Sequence, residues 1–388
     1  MKEVGIYVHI PFCKSKCYYC DFVSYSDKSE LVEEYIKWLK VEIEQVGKGI
    51  KLDFDNNLND MVKIKTIYIG GGTPSYIDSQ YIIEIMDTIK KNYIIDNEVE
   101  ITIEINPGTV TKEKLEDYKK AGANRLSIGL QETNNCHLKT IGRIHTYEEF
   151  IETYTIAKDI GFENINADLI IGLPNQTIED IESSIDKLLS IDLKHISIYS
   201  LILEEKTKLE KLINEGKLKL PEEDVERKMY WTVKNKLEEA GFIHYEISNY
   251  ARKVYESKHN LDCWNQKEYM GFGVAAHSYT DDARFSNVDD IELYINNFKN
   301  GNDLDNIIFH EKQNDKSKMK EYMLLGLRKI DGVKVSQLKK IFIQNPIFLY
   351  KDEINKLVNN DLLEIDGDNI KLTNKGIDLA NIVWEEFV

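Results

Sequence analysis

The chain has 388 residues, 42% hydrophobic and 30% charged, and its 50 Lys and Arg against 67 Asp and Glu give a formal net charge of −17. So acidic a balance excludes nonspecific attachment to nucleic acid or anionic lipid, both of which run on Lys and Arg. No stretch approaches the roughly 20 apolar residues of a membrane span, and the start, MKEVGIYVHIPFC, is too polar for a secretion signal.

The first 240 residues alternate short β-like runs with amphipathic helical ones. The strand runs, rich in Ile, Val and Tyr, are 4–10, 66–69, 99–105, 125–130, 165–171 and 195–201. Helical periodicity fills 31–46, with Leu31, Tyr35, Trp38, Leu39 and Ile43 on one face, and returns at 81–90, 115–121, 147–160 and 178–189. Gly122 and Gly161 stand where helix C-caps are expected. Residues 48–61, polar and rich in Asn and Asp, read as a surface loop. Strands alternating with helices imply a parallel sheet. The expected fold class is α/β, a partial (βα)6 TIM-like barrel that a helix at 222–240 closes.

After Gly241 the rhythm stops. A strand is expected at 242–248, then an aromatic-, His- and Gly-rich region. Near the end, helices at 336–342 and 351–359 and a hairpin at 362–373 form an α+β, winged-helix-like pattern. It has no basic recognition helix, so packing or partner binding is the expected role. The parts are then a core barrel (1–240), a connecting region (241–300) and a C-terminal module (301–388).

Of five cysteines, Cys13, Cys17 and Cys20 lie within eight residues, whereas Cys136 and Cys263 are isolated. An odd, clustered count fits a reducing cytoplasm and a metal site better than a disulfide framework. Strand one runs into HIPFCKSKCYYCDF, with C-x3-C-x2-C spacing. Three thiolates hold three corners of a [4Fe–4S] cube, where ordinary sites supply four, and the open iron can chelate a small molecule. The alternative is structural zinc with His9 as fourth ligand.

This spacing after the first strand of a partial barrel resembles the radical S-adenosylmethionine (SAM) superfamily. YVHIPFC with YYCDF resembles one branch of it, the oxygen-independent coproporphyrinogen III oxidases and their relatives, the haem chaperones. The similarity runs from Tyr7 to the C-terminal LTNKG. It implies that Cys13, Cys17 and Cys20 hold a [4Fe–4S] cluster. It also implies that SAM is bound by Gly71, Gly72 and Thr73 of GGGTP, Glu104 of IEINPG, Gln131, Arg143 of IGRIHT and Asp168 of NADLIIGLP, with Tyr7 and Tyr19 flanking the cluster. Arg143 can fork onto a carboxylate, here that of the methionine moiety. Asp168 lies in an apolar strand and needs a partner, a ligand or Arg143. For Tyr7 a packed core ring weighs as much as ligand contact.

Within the branch, the oxidases carry a cysteine two residues beyond the third ligand, where this chain has Phe22, and an N-terminal extension for which twelve residues before Cys13 leave no room. KHNLDCWNQKEY resembles the chaperones' H-N-x-x-Y-W motif, with Cys263 in place of the tyrosine. The resemblance implies haem at His259, Asn260 and Trp264, with His277 a second candidate; Cys263 reads as a small packing residue or a thiolate near the haem. The function expected is a haem chaperone for apo-haemoproteins such as respiratory enzymes. The alternative is decarboxylation of coproporphyrinogen III, and SAM cleavage would add an electron donor. A cytoplasmic location with transient membrane contact, and a homodimer, complete the expectations.

Overall fold

The computed structural model describes residues 1–49, 62–342 and 346–387. The loop expected at 48–61 therefore lies almost wholly outside the described residues.

Six parallel strands form the centre of the fold: β1 (Lys2–Ile10), β2 (Val62–Gly71), β3 (Ile94–Ile105), β4 (Arg125–Gln131), β5 (Asn164–Ile171) and β6 (His195–Ser200). Between them run α1 (Val32–Gly47), α2 (Ser79–Asn92), α3 (Lys112–Lys120), α4 (Asn135–Thr140), α5 (Tyr147–Ile160) and α6 (Ile178–Leu189). Local chemistry fixes the helix starts. Thr146 with Glu149, and Thr177 with Asp180, make reciprocal capping boxes at α5 and α6. Gly161 ends α5 at φ +95°, which a side chain would oppose.

The strands have two unlike faces. Ile67, Ile69, Ile101, Ile103, Ile105, Leu126, Ile128 and Leu130 point to the helices and are 3% exposed or less. Burying each such side chain is worth about 1.5–3 kcal/mol. The alternate residues Thr66, Tyr68, Thr102, Glu104, Arg125, Ser127, Asn166, Asp168, His195 and Ser197 face the barrel lumen and bond across it. His195 Nδ1 meets Asn166 Oδ1 (2.6 Å), Asn166 Nδ2 donates to Ser127 Oγ (2.8 Å), and Tyr68 donates to Glu104 (2.8 Å). The lumen is a polar core rather than an oily one.

The sheet continues on both sides. After α7 (Lys208–Asn214) and α8 (Glu223–Glu239), β7 (Ile243–Glu246) and β8 (Asn249–Ala251) extend it antiparallel past β6. Helix α8 packs on α6 in the outer layer, so strands and not this helix continue the sheet at that edge. Next, α9 (Lys258–Trp264) lies across the N-terminal ends of β2 and β3, its first amides held by the Glu100 carboxylate. Then β9 (Tyr269–Phe272) pairs parallel to β1 and is followed antiparallel by β10 (His277–Thr280), β11 (Ala283–Asn287) and β12 (Ile307–Lys312). The described sheet has twelve strands, in the order β12-β11-β10-β9-β1-β2-β3-β4-β5-β6-β8-β7. Strands β9–β12 were not expected. Buried Glu42 of α1 ties their turn down by accepting from Gly273 N–H and Asn287 and from Tyr294 of α10 (Ile291–Lys299).

The end of the chain packs around its own core, built on Met323, Leu338, Leu357, Leu363 and Val383. It comprises α11 (Asp315–Gly326), α12 (Val335–Ile341), α13 (Pro346–Leu349), α14 (Lys351–Asn359) and a small sheet of β13 (Val333–Lys334), β14 (Leu363–Asp366) and β15 (Asn369–Leu372). Lys329 donates to Asn265 just past α9 (2.5 Å), and the Arg328 guanidinium lies 4.4 Å from the Trp264 ring centroid. Among the described residues no helix is long and apolar enough to cross a membrane.

Burial holds several imidazoles neutral. It lowers His145 to about 3, His244 and His259 to about 4, and His9 and His195 in the same direction. Between about pH 6.5 and 4 the unfolded chain takes up protons that the fold refuses, so stability falls as pH drops through that window. The thermal midpoint at pH 4.5 should lie at least about 10 °C below that at pH 7.5 by calorimetry. A flat profile across the window would contradict this.

Candidate functional site

The three clustered cysteines lie on the loop that leaves β1 at the C-terminal mouth of the barrel. A Phe12–Tyr25 bridge closes the loop at its base: Tyr25 N–H donates to Pro11 O (2.7 Å) and Cys13 N–H to Tyr25 O (2.9 Å). Its far side is pinned by Tyr18, whose N–H donates to Ile141 O (3.0 Å) and whose carbonyl accepts from Leu209 (2.8 Å). Tyr19 packs with Ile141, Leu173 and Leu201. The loop is thus held by its own backbone bridge and by backbone bonds to Ile141 and Leu209, the rigidity a metal loop needs.

All three thiols are free, Cys13 buried and Cys17 and Cys20 partly so. Burial raises Cys13, and it pushes Cys20 up to about 11. Two sulfurs already receive hydrogen bonds, Cys13 from Thr73 Oγ1 and Cys17 from Arg143 Nη1, each at 3.4 Å. The fourth ligand considered for zinc was His9. Its Nε2–H donates to Val23 O (2.8 Å), so Nδ1 accepts from Tyr7 OH (3.0 Å), and both ring nitrogens are spent inside the protein. Tyr7 is therefore committed to His9 and stacks at 6.3 Å on Tyr68 within the lumen.

The GGGTP turn at the end of β2 lies against this loop. A Cβ on Gly71, at φ +111°, would come within 2.6 Å of His9 Nδ1, and one on Gly72 within 2.9 Å of Phe12 O. These glycines are needed by protein packing whether or not a ligand approaches. The Gly71 N–H donates to Glu104 Oε2 (3.2 Å), and Thr73 Oγ1 faces Cys13.

Glu104, Gln131, Arg143 and Asp168 converge from β3, β4, β5 and the loop after α4. Arg143 donates to Cys17, to Asn106 Oδ1 (2.7 Å) and to Gly129 O, and its buried Nε has no partner among the described residues. Gln131 ends β4 at φ +74°, a conformation costing a non-glycine residue about 1–3 kcal/mol and concentrated at functional sites. Of the partners expected for Asp168, a ligand or Arg143, the second is not observed: Asn166 donates to its Oδ1 (2.7 Å) and Ser127 to its Oδ2 (3.4 Å). Burial raises the Asp168 carboxyl and pushes Glu104 up to about 7.

That elevated carboxyl makes a testable statement. The unfolded chain loses the Glu104 proton near pH 4.5 and the fold keeps it to about 7, so the stability this proton contributes is intact below 4.5 and lost as pH rises through 7. Glu104→Gln stays neutral throughout. Relative to wild type, its thermal midpoint should rise by about 3 °C between pH 5.5 and 8.5. A constant difference across that range would contradict it.

The haem candidates lie elsewhere. His259 reaches into the lumen beside Gly5 and Tyr68, with Nδ1 on Thr66 Oγ1 (2.8 Å), which leaves Nε2 as the ring's remaining donor atom. Gly5 and Ile10 are separated by roughly 16 Å of strand, so His259 and the thiolates occupy opposite ends of the barrel. Trp264 has its Nε1 buried without a partner among the described residues. Asn260 takes part in the α9 cap, donating from its N–H to Ser257 Oγ (3.4 Å). Burial pushes the Cys263 thiol up to about 12, so it is a protonated packing group rather than a thiolate. His277 is exposed on β10 and stacks on His310 at 5.5 Å.

Asn106, Ser127, Asn166 and His195 also belong to the lumen and were not singled out from sequence. Their signal was present: a polar residue at every second strand position, in a parallel sheet whose two faces are both covered.

Residues 7–188 match the model of the radical SAM superfamily, and residues 314–379 match that of the HemN C-terminal domain. The chain is 36% identical over 387 residues to a protein of Lactococcus lactis, covering 100% of this chain and 98% of that one, and 37% identical over 388 residues to one of Bacillus subtilis, covering 98% of each; both are named Heme chaperone HemW. The solved structure of the Escherichia coli coproporphyrinogen III oxidase HemN, a radical SAM enzyme, aligns over 100% of this chain and 90% of that one, with a TM-score of 0.84 at 20% identity, a likeness of fold.

Proposed function

This chain belongs to the HemW family within the radical SAM superfamily, and from that premise we propose that it is a haem chaperone that holds a [4Fe–4S] cluster and SAM and hands haem to apo-haemoproteins. The observation that carries the cofactor reading is the set of three free thiols on one pinned loop, with Thr73 and Arg143 already directed at two of the sulfurs. Cys13, Cys17 and Cys20 hold the cluster. The Arg143 Nε, without a partner among the described residues, supplies a donor for the SAM carboxylate. Glu104 with Asp168, Gln131 and the Gly71–Thr73 backbone line the rest of the site, and Tyr7 and Tyr19 wall it. When bound, the cluster supplies one-electron reduction of the sulfonium, and an external donor supplies that electron if turnover occurs.

Haem is assigned to His259, with Asn260 and Trp264 around it, on the likeness of KHNLDCW to the family motif and on the remaining Nε2 of His259. A neutral imidazole is a common axial ligand. The acceptors are apo-haemoproteins of respiratory chains, reached from the cytoplasm with transient membrane contact, and a homodimer is part of this reading.

One paired assay tests the function. Anaerobically purified protein given haem should develop a Soret band and pass the haem to an apocytochrome. The same protein given coproporphyrinogen III, SAM and a reductant should form no protoporphyrinogen IX. Product formation without haem binding would replace the chaperone by the oxidase.

A further inference from the structure

Asn106 follows β3 in the IEINPG segment, two residues after Glu104, and it links donors to two of the cluster-loop sulfurs. Its side chain bridges Thr73 and Arg143, and the direction of each hydrogen bond is fixed by chemistry. A guanidinium only donates, so Asn106 must turn Oδ1 to Arg143 Nη2 (2.7 Å). Its Nδ2 then donates to Thr73 Oγ1 (2.9 Å). With that oxygen accepting, the Thr73 hydroxyl proton is directed to Cys13 Sγ (3.4 Å), while Arg143 Nη1 donates to Cys17 Sγ (3.4 Å). One amide thereby orients the donors on two of the three sulfurs.

The surroundings hold that amide in place. Asn106 N–H donates to Ser75 Oγ (3.0 Å), its carbonyl accepts from Thr109 Oγ1 (2.8 Å), and Pro107 follows. Opposite, Gly129 leaves the room: a Cβ there would lie 2.5 Å from Asn106 Oδ1 and 3.2 Å from Arg143 Nη2. The bridge forms only because that strand position has no side chain.

Hydrogen bonds to cysteine sulfurs are among the levers that set an iron–sulfur potential. Donors draw charge from the sulfur and favour the reduced, more negative cluster. We infer that Asn106 is a positioning residue that raises the reduction potential of the cluster held by Cys13, Cys17 and Cys20, by aiming Thr73 and Arg143 at the sulfurs. The inference rests on the cofactor reading above.

The test uses full-length protein reconstituted anaerobically with iron and sulfide, without SAM, titrated against redox mediators and followed by EPR of the reduced cluster. Asn106→Ala should shift the midpoint to lower potential at unchanged iron and sulfide content. Asn106→Asp should shift it further, because a carboxylate adds charge and takes the Thr73 proton away from Cys13. Thr73→Val should lower the midpoint and Thr73→Ser should restore it. Because the residues act in series, Asn106→Ala with Thr73→Val should shift less than the sum of the single changes. If the Asn106 variants bind no cluster, the Thr73 pair decides: equal potentials in Thr73→Val and Thr73→Ser overturn the inference. Loaded Asn106→Ala at the wild-type potential also overturns it and leaves the cofactor reading standing. Wild-type protein that takes up no iron overturns both.

Discussion

Changing Cys13, Cys17 or Cys20 singly to alanine should abolish the cluster, with iron and acid-labile sulfide falling to background and the iron–sulfur absorption lost. A cube bound through three thiolates has no spare protein ligand, so removing one leaves two irons open instead of one. The nearest imidazole cannot take its place, because both His9 ring nitrogens are engaged, and Arg143 only donates. Cys136→Ala, on the exposed surface of α4, and Cys263→Ala, on α9 at the other end of the barrel, should keep full iron content. The alanine variants should also stay folded, because the Phe12–Tyr25 bridge and the Tyr18 backbone bonds that shape the loop use no sulfur. Wild-type iron in any of the three variants would remove the premise of the cofactor site.

How far the sequence carried this site depended on the residue type. The cysteine spacing and the strand-end motifs were legible because each is local, a few residues on one loop. The six central strands were legible because Ile and Val recur in short runs between helices with 3.6-residue periodicity. Strands β9–β12 were not, for two reasons. They are short, four to six residues, and the edge strand β12 is almost wholly exposed, so it shows no apolar alternation. Of the two partners expected for Asp168, Arg143 is not the one that donates to it, because a cost of burial says that a partner is needed, not which. Asn166 two residues earlier on the same face answered it, and period two on β5 would have pointed there. The distance between the haem candidates and the cysteines was beyond reach, since α9 folds back under β2 and β3 through contacts some 160 residues apart in the chain.

His259→Ala should weaken haem binding by about 100-fold or more, and the pH dependence of binding should identify the ligand. A ligating imidazole must be neutral. Burial lowers His259 to about 4, so protonation competes only as pH falls toward that value, and haem affinity should stay level from pH 8 to 5. A solvent-exposed histidine would instead lose haem through about pH 6.5. Burial also predicts slow uptake. His259 is held by Thr66 Oγ1 and by the Glu100 carboxylate on its backbone N–H, and the Trp264 face carries Arg328, so α9 must shift before iron reaches Nε2. Removing the imidazole also deletes a buried hydrogen bond, worth about 0.5–1.5 kcal/mol. The thermal midpoint of His259→Ala must therefore be measured beside its affinity. His277→Ala, at the exposed first residue of β10, serves as the control and should bind haem as wild type does. Haem loss in His277→Ala with retention in a folded His259→Ala would move the site from the lumen to the outer sheet.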